Sequence, residues 1–202
     1  MVNGAIVALG AAAALAYLFL YAARDGVSAP RSAVKTLAVG ALAVAALRSG
    51  APLALVLALG LGAAGDFLLS RPRGFLPGLV AFALAHLAYV AVILGGPLVV
   101  GPGRLAAGAV LVVLVAWLGP RLYRGAGALR GPVAGYVGVI GVMGLAAIFY
   151  ADPRVGLAAA LFVASDALLG AQLFLGLGAA WVGPALWTLY WLAQAGFLWV
   201  LG

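Results

Sequence analysis

The sequence consists almost entirely of apolar runs long enough to cross a lipid bilayer, separated by short breaks rich in Arg, Pro and Gly. A helix needs about 20 mostly apolar residues to span the hydrocarbon core. Because lipid offers the backbone no hydrogen-bond partners, each such run must be helical. The breaks therefore predict eight transmembrane helices, at approximately 3–22, 32–48, 52–70, 74–94, 103–122, 131–150, 155–177 and 183–201.

The scarcity of charge excludes other classes of protein. Only 7% of the 202 residues are charged and 67% are hydrophobic, whereas a soluble domain carries about 25% charged residues. Intrinsic disorder requires low hydrophobicity and is excluded for the same reason. We predict a single all-α domain over residues 1–202, a polytopic membrane helix bundle. The first apolar run lacks a basic leader and is expected to be a helix rather than a cleaved signal.

The basic residues predict how the bundle is oriented. The net charge is +7, but the cations lie singly or in pairs at the breaks, where topology signals belong, so we expect no nucleic-acid partner. The odd-numbered connections hold eight cations and the even-numbered ones hold three. This bias predicts a plasma or inner membrane protein with the odd connections in the cytoplasm and both termini outside. The even connections hold Arg48, Arg104 and Arg154, and the odd ones hold Arg24, Arg31, Lys35, Arg71, Arg73, Arg121, Arg124 and Arg130.

Two segments 100 residues apart resemble each other. Leu61–Leu69 is LGAAGDFLL and Leu161–Leu169 is LFVASDALL. A parallel duplication of four plus four helices would produce this pattern, and chance matching of Ala and Leu is the alternative.

The two aspartates inside these segments are candidates for function. Asp25 and Asp152 fall in connections, but Asp66 and Asp166 lie within apolar helices. A charge near mid-bilayer costs about 2.5–3.5 kcal/mol, so both side chains must face the bundle interior or a wet cavity. The alternative is that each carboxyl holds neighbouring helices together without a catalytic role.

Further polar residues follow the same apolar helices. We expect them to converge on a pocket open to the inner leaflet, although a structural histidine and packed or interfacial tyrosines are the alternatives. The four tryptophans of the last helix are expected to form an interfacial belt. The candidates for the pocket are Lys35, His86, Tyr89, Tyr136, Ser165, Tyr190 and Gln194.

An ordered set of motifs resembles the lysoplasmalogenase (YhhN-like) family of membrane proteins. The resemblance covers roughly residues 30–200, and the order of the motifs is more specific than any one of them. They are KTL at Lys35, GDFLLS at Gly65–Ser70, FLPGLVAFALAHLAY at Phe75–Tyr89, GYVGVIGVM with Tyr136 and Met143, LFVASDALL at Leu161–Leu169, and YWLAQ at Tyr190–Gln194.

The resemblance implies a hydrolase that cleaves the vinyl ether bond of lysoplasmalogens to a fatty aldehyde and glycerophospho-ethanolamine or glycerophosphocholine. Asp66, Asp166 and His86 would line the active site. The substrate would be a lysophospholipid drawn from the membrane. Around the three catalytic candidates the resemblance places Lys35, Ser165, Tyr190 and Gln194. From the residues themselves we add Tyr89 and Tyr136 as candidates for substrate binding. We expect Lys35, with Arg31, Arg71 or Arg73, to hold the lipid phosphate at the inner interface.

Vinyl ether hydrolysis needs one acid and one negative charge beside the cation that forms. We expect the more deeply buried Asp166 to be the acid and Asp66 the carboxylate that orients water, with His86 relaying a proton. No cofactor or metal is expected, because the single histidine and the absence of cysteine leave few ligands. The alternatives are a proton-coupled transporter of small molecules or lipids and a non-catalytic lipid-binding protein. Headgroup, oligomeric state and the need for a divalent ion stay open.

Overall fold

The fold is all-helical, as predicted. The computed structural model describes residues 4–24, 26 and 28–202, which form eight α-helices and one short 3₁₀ turn, Gly127–Leu129. Each helix coincides with a predicted one, with ends within three residues of the predicted ends. The helices are α1 (Gly4–Leu20), α2 (Ala29–Ser49), α3 (Leu53–Leu69), α4 (Phe75–Leu94), α5 (Pro102–Gly125), α6 (Arg130–Phe149), α7 (Pro153–Phe174) and α8 (Val182–Leu201).

The helices are those of a membrane protein. Five are long and apolar enough to cross a bilayer, namely α2, α4, α5, α6 and α7. The helices α1 and α3 are apolar but shorter, with 17 residues each. Large apolar side chains such as Phe19, Val110 and Leu157 are exposed on the outside of the bundle. That all eight helices cross the membrane stays a prediction.

Local capping explains where α2 and α7 depart from the predicted ends. α2 begins three residues early because the Ser28 side chain accepts a hydrogen bond from the Arg31 amide at 3.3 Å. Asp152 caps α7 in the same way, and hydrogen bonds from the Arg154 side chain lower the pKa of Asp152 to about 2. The connection that holds Asp152 is therefore confirmed, while Asp25 lies outside the described residues.

The helix α5 is not broken by its internal proline. The predicted helix ended at 122, but α5 continues through Pro120 to Gly125. Membrane helices tolerate such prolines, because local adjustments and neighbouring groups can satisfy the freed carbonyl. Beside the proline, the guanidinium of Arg121 donates to the Trp117 carbonyl. The helix therefore ends three residues later than predicted.

Seven helices share the main hydrophobic core, and α5 lies outside it. The chain packs α1 on α2, α2 on α3 and α3 on α4, after which α4 packs on α6. The last helix, α8, packs on α7 and closes against α1, α2 and α3. The main buried cluster draws on every helix except α5. A second small cluster, of Leu122, Ala126 and Val133, joins the end of α5 to α6.

The start of α5 is tied to the opposite connection. Arg104 donates to the backbone carbonyls of Ile148, Tyr150 and Ala151, the last at 2.8 Å. Alongside, the amide of Val99 donates to Phe149, and the amide of Ala151 donates to Pro97, both at 2.8 Å. The α4–α5 and α6–α7 connections therefore close one end of the bundle together.

Two tryptophans of α8 contradict the expected interfacial belt. Trp187 is buried and its indole N–H donates to the Ala14 carbonyl at 3.0 Å. Trp191 donates to the Ala38 carbonyl at 3.2 Å. Both rings join α8 to α1 and α2, since an indole can pack on its faces while its N–H reaches a backbone carbonyl. Trp181 and Trp199 are exposed.

We predict that Arg104→Ala lowers the free energy of unfolding by about 2 kcal/mol, because three carbonyls lose their donor. Arg104→Lys should recover only part of the loss, since one ammonium lacks the planar fork of the guanidinium. Denaturant titration of the protein in detergent micelles measures the effect. Arg48→Ala, which removes an exposed cation on the same side of the bundle, is the matched control, and an equal loss in both variants would contradict the prediction.

Candidate active site

One set of buried polar side chains surrounds Asp66 in the last turn of α3. The Lys35 ammonium lies 2.9 Å from Oδ1 of Asp66, and the Tyr190 hydroxyl donates to Oδ2 at 2.8 Å. The Asp66 side chain is 1% exposed. Three helices thus converge on one carboxylate, and its charge is matched by the Lys35 cation.

Aromatic rings complete the surroundings of Lys35. Its ammonium lies 5.9 Å from the centre of the Tyr17 ring and 5.8 Å from that of Trp187. Ring faces attract a cation at this range. The ammonium is held between a carboxylate and two rings, and the Lys35 side chain is 17% exposed.

A second set surrounds Asp166, in the middle of α7. The Tyr136 hydroxyl of α6 donates to Oδ2 of Asp166 at 2.5 Å. Nε2 of His86, on α4, lies 3.5 Å from the same oxygen. His86 is fully buried, and the Asp166 side chain is 12% exposed.

The hydrogen-bond partner of His86 determines which of its ring nitrogens carries a hydrogen. Nδ1 of His86 lies 2.8 Å from the carbonyl oxygen of Phe82, which only accepts hydrogen bonds, so Nδ1 carries a hydrogen. A neutral ring then presents a lone pair at Nε2 towards the Asp166 carboxyl. Two lone pairs repel each other. The contact becomes attractive when either the carboxyl or the imidazole carries a further proton, and Nε2 of His86 has no hydrogen-bond partner among the described residues.

The two sets are neighbours rather than one chamber. Among the described residues, Asp66 and Asp166 have no hydrogen-bond or ion-pair partner in common, although their charges interact through space. The buried ring of Phe162 stands between the sets, with its centre 4.6 Å from that of His86 and 5.4 Å from that of Tyr190. Sequence reasoning missed Phe162, although its position four residues before Asp166 places both side chains on one face of α7.

A third pair of polar residues adjoins the Asp66 set. Tyr89 donates to Oε1 of Gln194, and both side chains are buried. Nε2 of Gln194 has no partner among the described residues. It faces Gly62, where an added Cβ would lie 2.5 Å from Nε2 and 3.4 Å from the Tyr190 hydroxyl. The glycine leaves room for the amide beside Tyr190.

The remaining predicted site residues lie apart from these sets. The Ser165 hydroxyl is buried and donates to the Leu186 carbonyl at 3.0 Å, so it ties α7 to α8. Arg71 and Arg73 are exposed in the α3–α4 connection, where the Arg71 guanidinium lies 4.2 Å from the centre of the Phe67 ring. The structure brings neither arginine into contact with Lys35.

An apolar cleft reaches Asp166. It lies between α4, α5, α6 and α7, is open on one side, and has Asp166 and Tyr136 in an otherwise apolar lining. Contrary to the expectation, Asp166 is not the more buried of the two carboxyl groups. Its side chain is 12% exposed, whereas the side chain of Asp66 is 1% exposed. The cause is the position of α5 outside the main core, which leaves Asp166 facing this cleft.

The two sets supply different chemistry. Asp66 is paired with a cationic side chain, whereas Asp166 lies beside a phenol and an imidazole at the wall of an apolar cleft. No group of three or more His, Asp or Glu side chains that could hold a metal lies among the described residues.

Comparison with known proteins identifies one family. The model described as the YhhN family matches residues 30–201, which is most of the chain. No curated protein and no solved structure matches it.

We predict that Gly62→Ala lowers the free energy of unfolding by about 1–2 kcal/mol, because the new methyl group displaces the Gln194 amide and breaks its hydrogen bond with Tyr89. Gly60→Ala is the matched control, since a Cβ there meets nothing within 4 Å, and it should be neutral or slightly stabilising. Denaturant titration of both variants checks this. Equal stability of the two would show that the amide moves aside without loss.

Proposed function

Since the chain belongs to the YhhN family, we propose that it is a membrane-embedded hydrolase that cleaves the vinyl ether bond of lysoplasmalogens. The products would be a fatty aldehyde and glycerophospho-ethanolamine or glycerophosphocholine, as implied by the family resemblance. The observation that carries the proposal is the His86–Asp166 pair at the wall of an apolar cleft. A proton donor in that position can reach a carbon atom of a lipid chain.

In the proposed reaction, the Asp166–His86 pair delivers a proton to the β carbon of the vinyl ether. The double-bond electrons form the new C–H bond, and the α carbon becomes an oxocarbenium ion stabilised by its ether oxygen. Water adds to the α carbon and loses a proton to give a hemiacetal. The hemiacetal collapses to the aldehyde, and the glycerol oxygen leaves with a proton. One water molecule is consumed overall.

The pair is suited to this cycle because it gives up one proton and regains one. The carboxylate left after protonation carries negative charge beside the oxocarbenium ion and stabilises it, as carboxylates do in glycoside hydrolysis. The proton released when water adds can then return to the pair. Tyr136 holds Oδ2 of Asp166 in a single position, which fixes the direction from which the proton arrives.

The Asp66 set has a positioning and electrostatic role in this proposal. Asp66 uses one oxygen for Lys35 and the other for Tyr190, so it orders these two side chains beside Phe162. The free Nε2 of Gln194 is a donor for a water molecule near Tyr190. Lys35 supplies positive charge for a phosphate that approaches from its accessible side.

The proposal includes the orientation of the bundle in the membrane and the leaflet from which the substrate enters. The excess of basic residues in the odd connections supports a cytoplasmic location for that end of the bundle, in the plasma or inner membrane. The cleft reaches Asp166 from the half of α7 that ends at Phe174, which is the same end. The substrate would therefore enter from the cytoplasmic leaflet.

A four-plus-four duplication accounts for the symmetry of the two sets. An offset of 100 to 104 residues relates Asp66 to Asp166, Lys35 to Tyr136 and His86 to Tyr190. Each aspartate is bound by the preceding helix of its own half and the last helix of the other half. The packing of α4 on α6 corresponds to that of α8 on α2. These correspondences support the duplication, after which the two sets diverged.

We predict that Asp166→Asn lowers turnover of a vinyl ether lysolipid at least about 100-fold, because the proton donor is lost. Asp66→Asn should also lower turnover by about tenfold or more, since Lys35 and Tyr190 lose their shared anchor. Asp152→Asn, which alters only an exposed helix cap, is the matched control and should retain activity. Aldehyde release by purified protein, compared at equal folded fraction by circular dichroism, measures the effect.

The same assay in liposomes separates a hydrolase from a carrier or a lipid-binding protein. A hydrolase releases aldehyde without any solute or proton gradient, whereas a carrier needs a gradient and a binding protein leaves the lipid intact. Near-normal turnover in Asp166→Asn would contradict the proposed acid. No aldehyde from the wild type on vinyl ether, alkyl ether or acyl lysolipids would contradict the hydrolase.

A further inference from the structure

We propose that a continuous cleft along α5 binds the single hydrocarbon chain of the substrate, with the phosphate at the α5–α6 end and the chain terminus at the end closed by Arg104. The assignment rests on the proposed function, because it takes a single-chain phospholipid as the ligand. It adds a chain-binding site, an entry end and a direction for the bound molecule.

Two cavities beside α5 form this cleft. The first is the apolar cleft that reaches Asp166, between α4, α5, α6 and α7. The second lies between α5, α6 and α7 and is open on one side. Leu114 and Val163 line both cavities, so the two meet near the middle of α5 and α7. We call the joined cavities the α5 cleft.

The lining of the α5 cleft suits an alkyl chain. In the first cavity Asp166 and Tyr136 are the polar side chains among apolar ones. The second cavity has Arg104 at its end and is otherwise lined by small or aliphatic residues, including Ala107, Ala160 and Ala164. Small residues leave space beside the helix backbones that a methylene chain can fill. Asp166 lines the first cavity about one helical turn from Val163, where the two cavities meet, so a chain that follows the cleft passes the proposed proton donor.

One end of the α5 cleft is closed, and the other end is bordered by positive charge. At the second cavity, the guanidinium of Arg104 is already bound to three backbone carbonyls and holds the connections together, so that end is closed. The segments that border the other end carry five exposed arginines and no acidic residue among the described positions 70–74 and 121–131. An anionic phosphate is favoured there. These arginines are Arg71, Arg73, Arg121, Arg124 and Arg130.

The length of α7 agrees with this direction. Eight residues separate Asp166 from the end of α7 at Phe174, or about 12 Å, and thirteen separate it from Pro153, or about 20 Å. A lipid chain in one leaflet needs about 15 Å, half of the hydrocarbon core. The longer arm therefore accepts the chain, and the shorter arm accepts the glycerol phosphate.

The test measures binding of saturated alkyl ether lysophosphatidylethanolamine, which has no vinyl ether bond to cleave. Chains of 16 and 4 carbons are titrated against protein in nanodiscs. Ala160→Phe places a ring in the second cavity, about 9 Å along α7 from Asp166. It should weaken binding of the long chain about tenfold and leave the short chain unchanged, because only the long chain reaches the ring.

Ala91→Phe is the matched control, since Ala91 is an exposed alanine on α4 that lies outside both cavities. It should change neither affinity. Equal loss for both chain lengths, no loss, or the same loss in Ala91→Phe would overturn the proposal.

A second measurement on the wild type does not depend on how the variant folds. The 16-carbon probe carries a diazirine at its chain terminus, and photo-crosslinked residues are located by mass spectrometry. We expect crosslinks at Gly103, Ala107 and Gly156, which line the Arg104 end of the second cavity, removed by excess unlabelled alkyl ether lysolipid but not by diacyl phospholipid. Crosslinks spread over the whole apolar surface, or removal by diacyl lipid, would show that the cleft holds ordinary bilayer lipid.

The experiments distinguish failure of the proposed hydrolase function from failure of the proposed binding site for the alkyl chain. If vinyl ether lysolipid is not cleaved but the alkyl ether probe binds with the expected dependence on chain length, the chain site stands and the hydrolase does not. If cleavage occurs but Ala160→Phe has no effect on the long chain, the hydrolase stands and the chain binds elsewhere.

Discussion

The pairing of every interior charge within the bundle is the constraint on which the site depends. In a medium that cannot solvate ions, an unpaired carboxylate is expensive, so Asp66 must meet a cation and donors from other helices. Lys35 and Tyr190 meet that need from α2 and α8. The same contacts join helices that are distant in sequence. The interaction that solves the charge problem therefore also closes the bundle, with α8 against α2 and α3.

Asp166 meets the same constraint with weaker partners. A phenol and an imidazole replace the ammonium and the phenol, so the second carboxyl lacks a permanent cation. In the proposed mechanism, that difference allows Asp166 to exchange a proton with His86, whereas Asp66 serves as an anchoring ion pair. Two similar arrangements of helices thus give one rigid, charge-matched set and one set capable of acid chemistry, with the Phe162 ring between them.

The helix α5 connects this chemistry to the membrane. A helix packed fully into the core would seal Asp166 from lipid, whereas one attached at its start by Arg104 and at its end by Leu122 leaves a gap along its middle. Because of the gap, α5 makes fewer packing contacts with the other helices. The three hydrogen bonds from Arg104 to backbone carbonyls offset part of that loss. An enzyme acting on single-chain lipids needs such a lateral opening, because its substrate resides in the bilayer.

Hydrophobic length and the short polar breaks determined the eight helices and their ends, because lipid leaves an apolar run no alternative to a helix. Placing a charge in lipid is unfavourable in free energy. For that reason the sequence alone predicted that Asp66 and Asp166 face the interior. Which partner each carboxyl takes was decided only in the tertiary structure, since Lys35, Tyr136, His86 and Tyr190 come from four different helices. Periodicity gives the face of a helix but not its neighbour. For that reason the separation by Phe162, the position of Ser165 against a backbone carbonyl and the cleft beside α5 emerged only from the packing.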